Sequence, residues 1–124
     1  MEDSPLSETG AAAAFREVAD EVLTLSGKLL SRTDCFGEDG AESVPLVEAA
    51  ARSLVADFDA AVGPEPAGAF PADRDLRHEV GNYLQTIGGF TSLLLLESGL
   101  PEDVRDCLVR LDQNTKQLVS LLHA

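Results

Sequence analysis

The residues with the clearest chemical potential are a histidine and an amide four positions apart, His78 and Asn82. On a helix they lie within about 40° of each other, and Gln85 joins them, whereas the apolar residues of the segment collect on the opposite side. A core histidine would lie among those apolar residues. We therefore expect His78 to be exposed. A free imidazole has a pKa of about 6.5, so at neutral pH it is mostly a neutral nucleophile.

The residues around His78 are unusually small. Gly81, Gly88 and Gly89 lie on or beside the polar side of the same predicted helix. Each costs up to about 1 kcal/mol of helix propensity relative to Ala, a loss that helices tolerate where something approaches their backbone closely. This favours a docking surface around His78, although a weakly formed, solvated helix with a chance histidine would explain the same residues.

Residues 77–90 read RHEVGNYLQTIGGF. This string resembles the phosphoacceptor box of two-component signalling proteins, the helical hairpin for dimerisation and histidine phosphotransfer. It is most similar to the variety in the sporulation phosphorelay phosphotransferase and in citrate-type and quorum-sensing kinases. There an Arg precedes the His, an acid follows it, and an Asn stands four positions on. Gly81 and Tyr83 stand where the commoner kinase box, HE[LIV]R[TN]PL, has Arg and Pro.

The resemblance implies that His78 accepts a phosphoryl group and passes it to an aspartate of a receiver domain. It implies that Glu79 is a general base that orients the ring, and that Asn82 binds phosphoryl oxygens or positions a water. The residues expected to contact the partner are Arg77, Gly81, Gln85, Gly88, Gly89 and Ser92. We expect no resident metal or other cofactor, because Mg²⁺ would come with the receiver domain.

The expected partner is a response-regulator receiver domain, a sensor kinase, or both. A complete kinase of this type continues into a nucleotide-binding domain, but these 124 residues contain no phosphate-binding loop such as GxxxxGK[ST]. We therefore expect a phosphorelay protein that does not label itself from ATP. The alternative is a non-catalytic helical interaction protein that dimerises or sequesters a kinase or response regulator.

The second half of the chain is predicted to be a helical hairpin. Its first helix covers about residues 72–98, and Gly99 follows where a left-handed residue commonly ends a helix. Pro101 opens the second helix, and the short connection makes the two helices antiparallel. The apolar face of the second helix comprises Val104, Leu108, Leu111, Thr115, Leu118 and Leu122.

Two further helices are predicted in the first half. One covers about residues 11–31, with Thr9 as its N-cap. The other covers about residues 43–62, with Ser43 as its cap and Pro45 in its first turn. Apolar residues recur in both at spacings of three and four, so each helix has one side to bury.

Three prolines and two glycines interrupt the helical pattern over residues 63–73. Residues 1–73 carry 4 basic and 15 acidic side chains, whereas residues 74–124 carry 5 and 7. We therefore predict an acidic two-helix accessory region over 1–62, a Pro/Gly linker over 63–73 and the phosphotransfer hairpin over 74–124.

The composition indicates an all-α fold, since 44% of the residues are apolar and aromatic residues are only 5%. We expect the helical hairpins to form a four-helix bundle by dimerisation, so the protein would be a homodimer. The competing arrangement folds the first two helices onto the hairpin within one chain.

Several functional classes are excluded on composition. The net charge of −13 argues against nucleic acid or an anionic membrane surface as a partner. No apolar run approaches the roughly 20 residues that span a bilayer, and the first residues are too acidic for a secretory signal. Cys35 and Cys107 form no CxxC pair, and the two cysteines and two histidines lack zinc-site spacing. We expect a reduced, cytoplasmic protein.

Overall fold

The computed structural model of the chain describes residues 10–123, and helices make up most of this region. They are α1 (Ala11–Leu30), α2 (Glu38–Val62), α3 (Arg74–Leu94) and α4 (Glu102–Leu122), with a single 3₁₀ turn at Thr33–Cys35. No strand occurs in the described region, so the predicted all-α class is confirmed. The predicted N-cap Thr9 lies outside the described residues.

The four helices form one bundle within the single chain. Helix α1 packs against α2 and α4, and α3 packs against the same two helices, so the arrangement closes on itself. The core draws on both halves of the chain, including Phe15, Leu54, Ile87 and Leu111. The four-helix bundle is confirmed. Helices α1 and α2 cover the faces of the hairpin that we had expected a second copy to cover.

The linker of residues 63–73 is anchored at one end of the bundle. Phe70 packs between Phe15 and Phe58, with ring centroids 4.9 and 5.5 Å away. The backbone N–H of Ala12 donates to the carbonyl oxygen of Gly68 at 3.0 Å. Buried aromatic contacts of this kind contribute beyond the apolar area that they bury. The linker therefore closes the end of the bundle at which α3 begins.

Helix α2 begins at Glu38, and the predicted start at Ser43 is wrong. Gly37 is extended at the N-cap, and its N–H donates to the carboxylate of Glu97 at 3.0 Å. A carboxylate at a helix N-terminus is favourable because it satisfies a free N–H and opposes the helix dipole. Pro45, predicted in the first turn, therefore lies inside the helix.

Helix α3 ends at Leu94, four residues before the predicted end at Ser98. The N–H groups of Leu96 and Glu97 donate to carbonyls only three residues back, which tightens the chain out of the α-helix. Gly99 has a φ of +78°, the left-handed conformation expected of it. In the described region no helix is both long and apolar enough to cross a membrane.

Gly40 is a sensitive packing position, so Gly40→Ala should destabilise the protein by about 1–3 kcal/mol. An added Cβ would overlap the Glu97 carboxylate and lie 2.9 Å from Cβ of Phe36. Gly27→Ala is the control, because nothing lies within 4 Å of its Cβ position, and it should stabilise α1 by about 0.5–1 kcal/mol. Urea unfolding followed by circular dichroism measures both. Equal stability of the two variants would contradict this packing.

Candidate functional site

Helix α3 presents one buried row and one exposed row. The carboxylate of Asp73 caps the helix by accepting the N–H of Leu76 at 3.0 Å. The buried row consists of Leu76, Val80, Leu84, Ile87, Thr91 and Leu94. The exposed row consists of His78, Asn82, Gln85, Gly89 and Ser92. The helical spacing predicted this division, and His78 lies outside the core.

A groove of about 450 Å³ lies between the first turns of α3 and the last turn of α4. From α3 it is lined by His78, Asn82 and Gln85, together with Gly81. From the other side it is lined by Val119, Leu122 and His123. Two imidazoles and two side-chain amides therefore share one concave surface.

Sequence analysis missed the contribution of His123. Its position near the end of the sequence gave no reason to connect it with His78. The predicted antiparallel hairpin could have indicated this contact. In such a hairpin the last turn of the second helix lies beside the first turn of the first helix. His123 follows α4 directly and lies in the same groove as His78.

Arg77 lines the groove, but its guanidinium is engaged with the bundle itself. Its Nε donates to the carbonyl oxygen of Pro71 at 2.9 Å, and its Nη1 donates to that of Leu122 at 2.8 Å. Its Cζ also lies 5.1 Å from the ring centroid of Phe70, a cation–π contact. Arg77 thus ties the linker and the end of α4 to α3, and its predicted role in partner binding stays a prediction.

The other side of α3 faces α2 and is acidic. The hydroxyl of Tyr83 donates to the carboxylate of Asp57 on α2 at 2.6 Å. This hydrogen bond, with burial and the negative charges of Asp57 and Glu79, raises the pKa of Tyr83 to about 12. Glu79 lies one turn before Tyr83, on this same side of the helix. His78 therefore lies between an acidic side toward α2 and the groove toward α4.

Among the described residues, 10–123, no carboxylate lines the groove. Its charged or chargeable side chains are Arg77, His78 and His123, in a chain whose net charge is −13. No group of three or more His, Cys, Asp or Glu residues in the described region could hold a metal ion. The arrangement suits an anionic group better than a cation, because charge and hydrogen-bond donors both favour an anion.

The glycines beside His78 are not required by packing within the chain. A Cβ on Gly81 would lie 3.9 Å from Leu122, and one on Gly88 would lie 3.6 Å from Thr115, both ordinary contacts. Nothing lies within 4 Å of a Cβ on Gly89. Alanine would therefore fit at all three positions and would favour the helix more than glycine does.

Comparison with known proteins gave no match to a family model, a curated protein or a solved structure.

Arg77→Ala should lower the free energy of unfolding by about 1–2 kcal/mol, because it removes charged hydrogen bonds to two carbonyls. The control is Arg52→Ala, which removes an exposed ion pair with Glu48 on the same helix and should cost under about 0.5 kcal/mol. Urea unfolding of the two variants makes the comparison. If Arg77→Ala costs no more than Arg52→Ala, Arg77 does not hold these segments together.

Proposed function

We propose that this chain is a phosphotransfer protein in which His78 accepts a phosphoryl group and passes it to an aspartate of a receiver domain. The observation that carries the proposal is the exposed imidazole of His78 beside a groove that no carboxylate of the described part of the chain lines. An imidazole in the core could not contact a second protein. Carboxylates lining the groove would repel the negatively charged phosphoryl oxygens.

The proposed reaction exchanges one bond to phosphorus for another. A ring nitrogen of His78 attacks the phosphorus of an aspartyl phosphate, a nitrogen–phosphorus bond forms, and the aspartate carboxylate leaves. The reverse reaction transfers the group from His78 to a receiver. Such transfers depend mainly on positioning and on neutralising the phosphoryl oxygens, so few groups are needed. Mg²⁺ belongs to the partner in this scheme.

Two neighbouring side chains receive roles in the proposal. Asn82 lies one turn after His78 on the exposed row, so its amide can donate to the phosphoryl oxygens. Glu79 is exposed on the acidic side of α3, about 100° around the helix from His78. From there its flexible carboxylate can accept a hydrogen bond from the ring nitrogen that faces away from the groove, which would keep the attacking nitrogen unprotonated.

The exposed row of α3 also supports docking of a partner protein. Residues 80–96 contain no Asp, Glu, Lys or Arg, although a quarter of the chain is charged. Leu93 and Leu96 lie at the far end of this stretch with 60% and 79% of their surface exposed. Interface centres are depleted in charge, so a receiver could cover residues 80–96 without desolvating ions of that stretch. Receiver domains act in the cytoplasm, which we propose as the location of this protein.

The same charge-free surface favours a second candidate function, a non-catalytic interaction protein. Such a protein would sequester a kinase or receiver through α3, and His78 would take no part in chemistry. Exposed Leu93 and Leu96 would serve either function. The two functions differ in one measurable respect, since only the first requires a covalent phosphoryl group on this chain.

His78→Gln should abolish phosphoryl transfer and leave the fold intact. The measurement uses receiver domains carrying a radiolabelled aspartyl phosphate and follows label on this chain. We expect at least about a 100-fold loss of label, because the nucleophile is absent. The free energy of unfolding should change by less than about 0.5 kcal/mol, since the side chain is exposed.

Asn82→Ala is the companion variant and should slow transfer or change the lifetime of the phosphorylated chain. Gln113→Ala removes an exposed amide from α4, outside the groove, and should behave like the parent. Label that reaches His78→Gln as readily as the parent would place the acceptor elsewhere. Receiver binding without any label on the parent would favour the interaction protein.

Gly89→Ala should stabilise the protein by about 0.5–1 kcal/mol and slow phosphoryl transfer several-fold. The methyl group meets nothing within the chain, so it would obstruct only a docked partner. Gly27→Ala gives a similar gain in helix propensity on α1 and should leave transfer unchanged. Thermal unfolding and the transfer assay measure the two effects. Parental transfer rates in both variants would contradict docking over Gly89.

A further inference from the structure

We infer that two residues outside the predicted site, Arg74 and His123, hold the phosphoryl group at His78. The inference rests on the proposed function for the identity of that group. It also assigns a ligand class to the groove itself, namely a phosphate dianion, for which free inorganic phosphate is the simplest example. Neither residue belongs to the string that resembles a phosphoacceptor box.

Arg74 is the cation on the same helix that lies nearest in register to His78. It is the first residue of α3, is exposed, and precedes His78 by four positions. Side chains four apart are neighbours on a helix, with Cβ atoms about 5–6 Å apart. Among residues 10–123, no ion pair engages its guanidinium. Arginine also matches phosphate oxygens with two parallel N–H donors.

Arg77, the other arginine of α3, is less suited to holding a phosphoryl group. Its Nε and Nη1 already donate to the carbonyl oxygens of Pro71 and Leu122. Turning the guanidinium toward a phosphate would leave these carbonyls without that donor, and it would release the end of α4 that forms one wall of the groove. The wall and the ligand would therefore compete for one side chain.

His123 supplies a donor from the opposite wall. It lines the same groove as His78, so a group attached to the His78 ring on that side lies in a groove that His123 also lines. The nearest carboxylates on α3 are those of Asp75 and Glu79. They lie four positions apart in the row that leads to Tyr83 and α2, on the far side of His78. Among residues 10–123, the basic side chains of Arg77 and His123 thus line the groove on the α4 side of the ring, where a dianion would lie.

The test is a titration of the whole chain with inorganic phosphate, followed by NMR of the histidine rings. The expected result is a saturable shift of the His78 and His123 resonances with a single dissociation constant. Sodium chloride at matched ionic strength should not reproduce it. Arg74→Gln and His123→Gln should each weaken binding about threefold or more, in keeping with an exposed charge contact. Arg74→Lys should retain part of the affinity, because lysine keeps the positive charge but lacks the two parallel N–H donors of the guanidinium.

Lys116→Gln is the matched control for loss of one positive charge. Lys116 lies on α4 outside the groove and pairs with Asp112 at 3.1 Å. The variant should bind phosphate like the parent. The inference is overturned if phosphate shifts neither ring, if chloride reproduces the shifts, or if Arg74→Gln binds as tightly as Lys116→Gln.

The phosphate titration and the transfer assay can fail independently. Saturable phosphate binding that depends on Arg74, with no label ever reaching His78, would support the anion site and contradict the proposed function. Transfer to His78 at the parental rate in both Arg74→Gln and His123→Gln would support the function and contradict the roles assigned to these two residues.

Discussion

Burial of the apolar row of α3 is the constraint on which the rest of the site depends. That row meets α2 on one side and α4 on the other, in a bundle that one chain closes by itself. Fully burying a Val, Leu or Ile side chain is worth about 1.5–3 kcal/mol, so a rotation of α3 that exposed the row would be very unfavourable. His78 lies opposite this row and is therefore held outward by the core.

Two polar contacts hold the two sides of α3 that flank His78, one facing α2 and the other facing α4. Tyr83 joins the helix to α2 through Asp57, and Arg77 joins it to the end of α4 through the carbonyl of Leu122. The Tyr83–Asp57 contact lies on the acidic side of α3 with Glu79. The contact of Arg77 with Leu122 forms part of the groove wall. This separation allows a phosphoryl group and a proton acceptor to approach opposite nitrogens of one imidazole, which is the geometry that the proposed transfer needs.

Local patterns predicted the helices and the rows of α3, because helical periodicity and capping are properties of neighbouring residues. The predicted start of α2 was wrong because the observed start depends on Glu97, which is sixty positions from Gly37 in the chain. The end of α3 was wrong for a related reason, since the residues that follow Leu94 turn to bring Glu97 to that contact. Spacing within one segment carries no information about such a partner.

In the candidate site too, local spacing did not predict contacts between residues far apart in the chain. The spacing of His78, Asn82 and Gln85 predicted their shared exposure, but His123 and the engagement of Arg77 emerged only from the packing of α3 against α4. Whether the first two helices or a second copy would cover the hairpin was also open from the sequence. Both solutions bury the same apolar faces, and the closed contacts among the four helices show the arrangement within one chain.

The most direct measurement of the central claim is the chemical nature of the bond that the chain forms with a phosphoryl group. The chain is incubated with phosphoramidate, a small donor that requires no partner, and the product is examined by mass spectrometry and by its stability in acid and base. The account predicts one phosphoryl group on His78 that is lost in acid and retained in base, as a phosphorus–nitrogen bond is. A parent chain that takes up no group on His78, or whose group survives acid as a phosphate ester does, would contradict it.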